Sequence, residues 1–208
     1  MNQMIWYVSL TEVLWYGVGG RRLAKKIIND VRGGNVAYNI NKPYNYIGYA
    51  LFSHMGEILL RTIIYAAIAA ILFVTVLGEF QVVGILQGLA VLLTWFFELV
   101  INTLFITSIG RMAFFIEDSS PLYWLYSKVI LVLGTLFPVE FFPEIIQKLF
   151  KFVPAYAVSY GPAKLFVDFS MDKFVEVIAA QAIYIIVALL IAKLIYKKGV
   201  KKLNVNGG

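Results

Sequence analysis

The chain has 208 residues, of which 61% are hydrophobic and 14% are charged. A typical soluble domain has about 25% charged residues. So little polar surface cannot cover a globule of this size, and the composition therefore predicts an integral membrane protein. The absence of cysteine excludes disulfides, thiolate metal sites and a cysteine nucleophile, and the single histidine, His54, argues against a histidine-rich metal site. The net charge of +6 comes from basic residues at the ends of apolar segments, which membrane topology explains without nucleic acid as a partner.

The first apolar segment, residues 4–18, is short for a membrane span and contains Thr11 and Glu12, yet it is long enough to be predicted as one. No basic region precedes it, so it does not resemble a cleavable signal peptide. A polar loop follows at residues 20–46 and carries six lysine and arginine residues against one acid, Asp30. Loops of this kind lie on the cytoplasmic side of membrane proteins.

Part of this loop has the periodicity of an amphipathic helix. Its apolar positions share one face: Leu23, Ile27, Ile28 and Val31. Its polar positions share the other: Arg21, Arg22, Lys25, Lys26 and Asn29. Gly33-Gly34 is predicted to stop the helix, and Lys42-Pro43 to mark the return to the membrane. The helix could anchor the chain on anionic lipid, connect two spans in solvent, or dock a cytoplasmic partner.

The remaining apolar segments predict spans at about residues 60–77, 86–110, 122–137 and 174–195. Residues 46–59, which are more polar, are interpreted as an interfacial helix or entry elbow, and residues 78–81 as a short turn. Between residues 139 and 172, three prolines separate pieces that are too short to cross, namely Pro143, Pro154 and Pro162. We expect short external or re-entrant helices there, packed against protein.

Five spans with the first loop inside place the lysine-rich end, residues 197–202, in the cytoplasm as well. The amino terminus is then external. An external start without a signal peptide suggests that a preceding span is missing from this chain or supplied elsewhere.

Several polar groups are candidates for function. Glu98 lies deep in a predicted span, where a carboxyl group is costly and needs a partner or a polar cavity. Lys128 on the next span could approach it, so both are possible pathway residues. The alternatives are a structural ion pair and a protonated Glu98 packed between helices. Glu57 and Arg61 have helical i,i+4 spacing near His54 and predict a local pair. Glu117-Asp118 could bind a divalent ion or form a solvated turn.

No Walker A motif and no HExxH motif occurs, so neither nucleotide hydrolysis nor a catalytic metal is expected in this chain, and no cofactor is predicted. Aromatic residues near segment ends are typical of interfacial belts.

Four sequence stretches, in this order, carry a resemblance to a known family: IINDVRGGNVAYNINKPYNY, IGRMAFFIEDSS, FPVEFFPEIIQKLFKFVPAYAVSYGPAKLF and KKGVKKLNVNGG. Together they resemble the permease subunit of type 2 ATP-binding-cassette exporters, in the six-span bacterial and archaeal branch that ends in Gly-Gly. The resemblance covers nearly all of the chain but lacks the family's first span.

The resemblance implies an all-α permease in the plasma membrane that partners cytoplasmic ATPase subunits, membrane lipid and a second permease subunit, the same or paralogous. It makes the amphipathic helix the coupling helix that docks the ATPase, with these residues: Lys26, Ile27, Ile28, Asp30, Val31, Arg32 and Gly33. It also implies export of an amphipathic or hydrophobic small molecule. The alternatives are an integral membrane enzyme acting on lipid, with His54/Glu57 or Glu117/Asp118 as its polar cluster, and a structural or assembly membrane protein.

Overall fold

The computed structural model describes residues 2–36, 46–77, 83–136, 139 and 142–206. Its helices in chain order are α1 (Asn2–Val18), α2 (Gly20–Arg32), α3 (Tyr46–Leu77), α4 (Ile85–Arg111), α5 (Ser120–Ile130), α6 (Glu144–Phe150), α7 (Gly161–Val167) and α8 (Met171–Asn206). A 3₁₀ turn, Met112–Phe114, follows α4, and π-helical segments occupy Leu131–Leu136 and Tyr156–Tyr160. The described residues form no strand, and the predicted all-α membrane architecture is confirmed.

Within the described residues, three helical segments are long and apolar enough to cross a membrane: Phe52–Thr75, Ile85–Phe114 and Met171–Lys202. The first lies in α3, which is one continuous 32-residue helix rather than an elbow followed by a separate span. At 1.5 Å per residue it is about 48 Å long, longer than the roughly 30 Å hydrocarbon core. Its amino-terminal turns therefore extend beyond the hydrocarbon. The five-span count stays a prediction.

Helix α4 lies at the centre of the fold and packs against α1, α2, α3, α5, α7 and α8. About 50% of its apolar window is buried inside the protein, compared with 11% for α3 and 17% for α8. The large apolar side chains of α3 and α8 are mostly exposed. Since a membrane protein turns such side chains to lipid, α3 and α8 form the lipid-facing periphery around α4.

The two ends of α4 hold different structures. Near its carboxyl end, Gly110 lies against Ile27 of α2. Near its amino end, the Gln87 side chain donates hydrogen bonds to the carbonyl oxygens of Leu165 and Phe166, at 3.2 and 2.7 Å, in α7. These contacts are roughly 35 Å apart along the helix axis, about the thickness of the hydrocarbon core. Helices α2 and α7 therefore lie at opposite ends of α4.

The short helices between α5 and α8, namely α6 and α7, form a cap at the amino-terminal end of α4. Pro143 precedes α6 and Pro162 lies at the start of α7, positions where the missing proline N–H costs nothing. The Tyr184 hydroxyl donates to the Phe152 carbonyl oxygen at 2.6 Å, so α8 holds the chain between the short helices. Three predictions concern residues outside the described ones: the return to the membrane at residues 42–43, the turn at residues 78–81 and the Gly-Gly ending at residues 207–208.

Candidate functional site

Helix α2 is amphipathic in the way its sequence predicts. Its inner face is buried: Leu23, Ala24, Ile27, Ile28 and Val31. Its outer face is exposed: Arg21, Arg22, Lys25, Lys26, Asn29 and Arg32. The inner face joins a hydrophobic cluster with Val18, Leu99, Ile106 and Phe114. The apolar stripe thus attaches α2 to the membrane-embedded body.

The close packing of α2 against α4 depends on Gly110 of α4. A Cβ at Gly110 would lie 2.9 Å from Ile27 Cβ and 3.4 Å from the Ala24 carbonyl oxygen. The first distance is shorter than carbon atoms tolerate, because their preferred separation is about 3.5–4.0 Å. Glycine is therefore the residue that allows the two helices to touch at this point.

Gly33 and Gly34 end α2 as predicted. The Gly33 N–H donates to the Asn29 carbonyl oxygen at 2.8 Å, and the Gly34 N–H donates to the Val31 carbonyl oxygen at 3.3 Å. Gly34 has φ +75°, a left-handed conformation that favours glycine at a helix end. Val36 then returns into the α2 cluster and is fully buried. The chain is therefore packed against the protein both before this turn, through α2, and after it, through Val36.

The residues expected to dock a partner are divided between the two faces of α2. Ile27, Ile28 and Val31 point inward and are buried, so they hold the helix in place. Asp30 is half-buried, whereas Lys26, Arg32 and Gly33 are exposed. Any partner on the solvent side of α2 would meet the exposed set.

The junction of α1 and α2 is tightly fastened to α3. Gly19 has φ +55° and turns the chain between the two helices. The buried His54 ring nitrogen Nε2 lies 3.0 Å from the Val18 carbonyl oxygen, one of the last carbonyl groups of α1. Arg61 forms the predicted pair with Glu57 at 3.0 Å, and its guanidinium also lies beside Gly19. His54 and Arg61 therefore stabilise the bend from α3.

A polar cluster lies inside the membrane body next to α2, and we name it the Glu98 cluster: Glu98, Asn102 and Tyr126. Asn102 donates through Nδ2 to Glu98 Oε1 at 3.2 Å, and its Oδ1 accepts from the Tyr126 hydroxyl at 2.9 Å. Glu98 is 1% exposed, and its Oε2 has no hydrogen-bond partner within the described residues. Asn102 thus links α4 to α5.

Lys128 does not join this cluster. It is exposed on α5, and its ammonium lies 5.9 Å from the centre of the Trp124 ring. No ion pair connects it to Glu98 in the described part of the chain. Counting residues from the membrane boundary predicts similar depths for Glu98 and Lys128. In the structure, however, the two side chains point to different sides.

The remaining acidic candidates lie in exposed loops. Asp118 Oδ1 accepts from the Ser120 N–H at 2.8 Å and from the Ser120 hydroxyl at 2.6 Å, and these hydrogen bonds hold the pKa of Asp118 below its usual value. The segment forms an exposed turn that leads into α5, the second of the two interpretations. No group of three or more metal-ligating side chains was found among the described residues.

Three polar side chains that sequence analysis missed hold the cap in place. Gln181 is fully buried in α8 and donates through Nε2 to the carbonyl oxygens of Thr94 and Ala157, at 2.7 and 3.0 Å. Ser159 donates to the Gly134 carbonyl oxygen at 3.0 Å, and Tyr7 donates to the same oxygen at 2.6 Å. A lone glutamine in an apolar span was the available signal for Gln181. The Gly134 contact depends on π-helical backbone, which no pattern indicated.

Ion pairs close the outer side of the cap. Lys151 pairs with Glu176, and Lys173 pairs with Asp168 at 2.6 Å. The hydrogen bond from Lys173, with the charges of Lys173 and Lys164 adding to it, lowers the pKa of Asp168. These pairs are exposed and contribute little stability individually, but they join the α6–α7 region to the start of α8.

Comparison with known proteins identifies a family over nearly the whole chain. A family model described as ABC-2 family transporter protein matches residues 2–207. The match runs from α1 to α8 and includes both α2 and the Glu98 cluster. No curated protein matches the chain significantly.

Proposed function

The chain belongs to the ABC-2 family of transporter proteins, and we propose that it is the permease subunit of an ATP-binding-cassette exporter in the plasma membrane. Family membership makes it a transport component rather than a member of an enzyme family. In the proposal, separate cytoplasmic ATPase subunits dock on α2 and drive transport. A second permease subunit, identical or paralogous, completes the pathway, with the carboxyl terminus inside and the amino terminus outside.

The observation that carries the proposal is the orientation of α2. An anchor on lipid would have to insert its apolar face into the membrane interface, but that face is buried against α4. A helix that only connects two spans would not need such close packing against α4. A helix that is fixed on its inner side and exposes a basic outer side fits the remaining interpretation, a surface for a cytoplasmic partner.

The seat of α2 also supplies a mechanical reason for docking there. Because Ile27 packs directly on Gly110, a partner that pushes on the outer face moves α4 as well. Helix α4 in turn contacts α8 and the cap. A displacement at α2 would therefore reach the opposite membrane face through packed helices, as alternating access requires.

The two predicted pathway residues, Glu98 and Lys128, have different roles in this proposal. Glu98 is sealed within the subunit and positioned by Asn102, so we assign it to the polar interior that α4 and α5 share. Lys128 is exposed on α5, and we retain it as the proposed pathway contact. The charge on Lys128 at membrane depth is costly unless it serves such a role or reaches the interface.

The docking proposal is tested by charge reversal on the outer face of α2. The tagged permease is purified from native membranes in mild detergent, and the associated ATPase is identified by its Walker motifs in mass spectrometry. Lys26→Glu with Arg32→Glu should reduce the recovered ATPase about tenfold, since losing complementary charges weakens association. Lys201→Glu with Lys202→Glu is the matched control, because these exposed lysines carry the same charge on α8.

The outcome separates docking from a general charge effect. If both double variants lose the ATPase equally, the net charge of the protein accounts for the loss and α2 is not the docking site. If no Walker-motif ATPase is recovered with the unchanged permease, the exporter proposal itself is wrong.

A further inference from the structure

A cavity of about 270 Å³ lies at the bend between α1 and α2, and we name it the elbow cavity. Aromatic side chains form its walls: Trp15, Tyr16, Tyr123 and Tyr126. Gly19 and Gly20 also line it, and Gly20 lies close against Ile106 of α4 and Tyr123, which belong to the same lining. Its composition, largely aromatic with few polar groups, is typical of small-molecule sites.

The charged residues that line the elbow cavity are Arg21 and Arg22 at its α2 edge. Among the described residues, no carboxylate lines it. Neither arginine forms an ion pair in the described part of the chain, and both side chains are exposed. Guanidinium groups bind carboxylate and phosphate through paired, charge-assisted hydrogen bonds. The charge at the opening therefore selects an anionic group.

The inner end of the cavity is polar but neutral. Asn102 is 3% exposed and lines the cavity beside Tyr126. The Tyr126 hydroxyl already donates to Asn102, and one Asn102 N–H is used by Glu98. The cluster thus holds both walls in fixed orientation and keeps the Glu98 carboxyl group behind them. An apolar body flanked by aromatic rings fits this space.

We propose that the elbow cavity binds an amphipathic anion, with its carboxylate or phosphate on Arg21 and Arg22 and its apolar body among the aromatic walls. The bend lies where α1 leaves the apolar segment and the basic loop begins, which is the boundary of the hydrocarbon. An amphiphile in the adjacent leaflet would present its head group and chain in this same arrangement.

The consequence for transport rests on the proposed function. The ligand would contact α2 through the arginines and α4 and α5 through Asn102 and Tyr126. Because it touches both sides of the bend, its binding would favour one position of α2 over others. Occupancy of the cavity would then be sensed at the helix proposed to meet the ATPase, and the two events would be thermodynamically linked.

Trp15 provides a direct test in the purified permease without any ATPase. The chain has four tryptophans, so replacing Trp6, Trp95 and Trp124 by phenylalanine leaves Trp15 as the fluorescent reporter in the cavity wall. In a neutral detergent, 12-bromododecanoate should quench Trp15 saturably, since bromine quenches on contact. The matched cation, (12-bromododecyl)trimethylammonium, should quench at least about tenfold less effectively, because the arginines repel it.

The arginine contribution is measured with two double variants of equal charge change. Arg21→Gln with Arg22→Gln should raise the dissociation constant of the bromododecanoate at least about tenfold. Lys25→Gln with Lys26→Gln should change it less than about twofold, because those lysines are on α2 but do not line the cavity. Equal effects of the two variants, or equal quenching by the anion and the cation, would overturn the proposal.

Two further measurements distinguish the source of the anion. In phosphatidylcholine nanodiscs, brominated phosphatidylglycerol tests a membrane lipid, and added dodecyl phosphate competing with the bromododecanoate tests a soluble amphiphile. Quenching or competition that depends on Arg21 and Arg22 assigns the corresponding source, and failure of both overturns the proposal. Because no ATPase is present, these results stand independently of ATPase recovery, so failure of this inference and failure of the exporter proposal are distinguishable.

Discussion

Asn102 is the residue on which the polar interior depends. Its amide donates to Glu98 and accepts from Tyr126, so one side chain satisfies polar groups on two helices. A buried polar group without a partner costs about 1–3 kcal/mol. In a membrane interior no water replaces the lost hydrogen bond. Truncating Asn102 would therefore leave both neighbours unsatisfied at once.

We expect Asn102→Leu to lower the free energy of unfolding in detergent by about 1–3 kcal/mol, measured by denaturant titration of the purified permease. Tyr126→Phe should cost less, because it removes the donor together with its need for an acceptor. In the double variant the two effects should be non-additive by at least about 0.5 kcal/mol, as contacting residues are. Additivity would mean that the hydrogen bond between them contributes nothing.

The same cycle applied to Glu98→Gln and Lys128→Met should give additive changes, within about 0.5 kcal/mol. The sequence suggested that these two charges pair, but Glu98 contacts Asn102 and Lys128 lies beside Trp124. Depth along a span can be counted from the sequence, whereas the side to which a residue points depends on helix rotation. That rotation is fixed by packing, which an almost uniformly apolar helix does not encode in its pattern.

At the scale of elements, α2 was the most predictable part of the chain. Its 3.6-residue periodicity identified the buried face, and Gly33-Gly34 identified its end. These signals are strong because α2 borders water, so polar and apolar positions differ sharply. What the pattern left open was the partner of the buried face. The close approach of Gly110 to Ile27, which gives the answer, joins residues far apart in sequence.

The seat of α2 gives a second prediction at this scale. Gly110→Val would place side-chain carbons where Ile27 now packs, so α2 should separate from α4. The chain has no cysteine, and a single Ile28→Cys, at the neighbouring buried position of α2, is therefore a clean reporter that leaves Ile27 in place. In the Gly110→Val background a water-soluble maleimide should label it at least about tenfold faster, because the buried position opens only when packing is lost.

Gly88→Val is the matched control for that experiment. It makes the same change in the same helix, but the nearest atom to a Cβ there is 3.9 Å away, on Val83. Labelling of Ile28→Cys in the Gly88→Val background should stay at the rate seen without a glycine substitution. If Gly110→Val leaves the rate unchanged as well, the close contact does not hold α2.

The cap was less predictable than α2. Its prolines predicted short helical pieces, since a proline is tolerated in the first turn of a helix but not in its interior, and α6 and α7 have seven residues each. The way the pieces are held, through Gln181 and through the Gly134 carbonyl oxygen, arises from tertiary contacts. Such contacts are needed wherever short helices lie near the membrane, because their backbone groups must be satisfied within the protein.

For the whole molecule, the contacts along α4 predict which parts lie on which side of the membrane. Helix α2 contacts one end of α4 and the cap contacts the other, about one bilayer thickness apart. Because lysine and arginine prefer cytoplasmic loops, the basic outer face of α2 predicts that this end of α4 is cytoplasmic. The cap, although it carries lysines, would then be external.

Sidedness is tested with single cysteines at two exposed lysines in the cysteine-free chain, Lys26→Cys on α2 and Lys148→Cys on α6. In intact cells a membrane-impermeant maleimide should label Lys148→Cys and leave Lys26→Cys unlabelled. In inside-out vesicles the pattern should reverse, because the two sites lie on opposite faces of the bilayer. Leu104→Cys, at a buried position of α4, should stay unlabelled in both preparations. Labelling of both exposed sites from the same side would contradict the arrangement along α4, and a reversed pattern would contradict the assignment of α2 to the cytoplasm while keeping the fold.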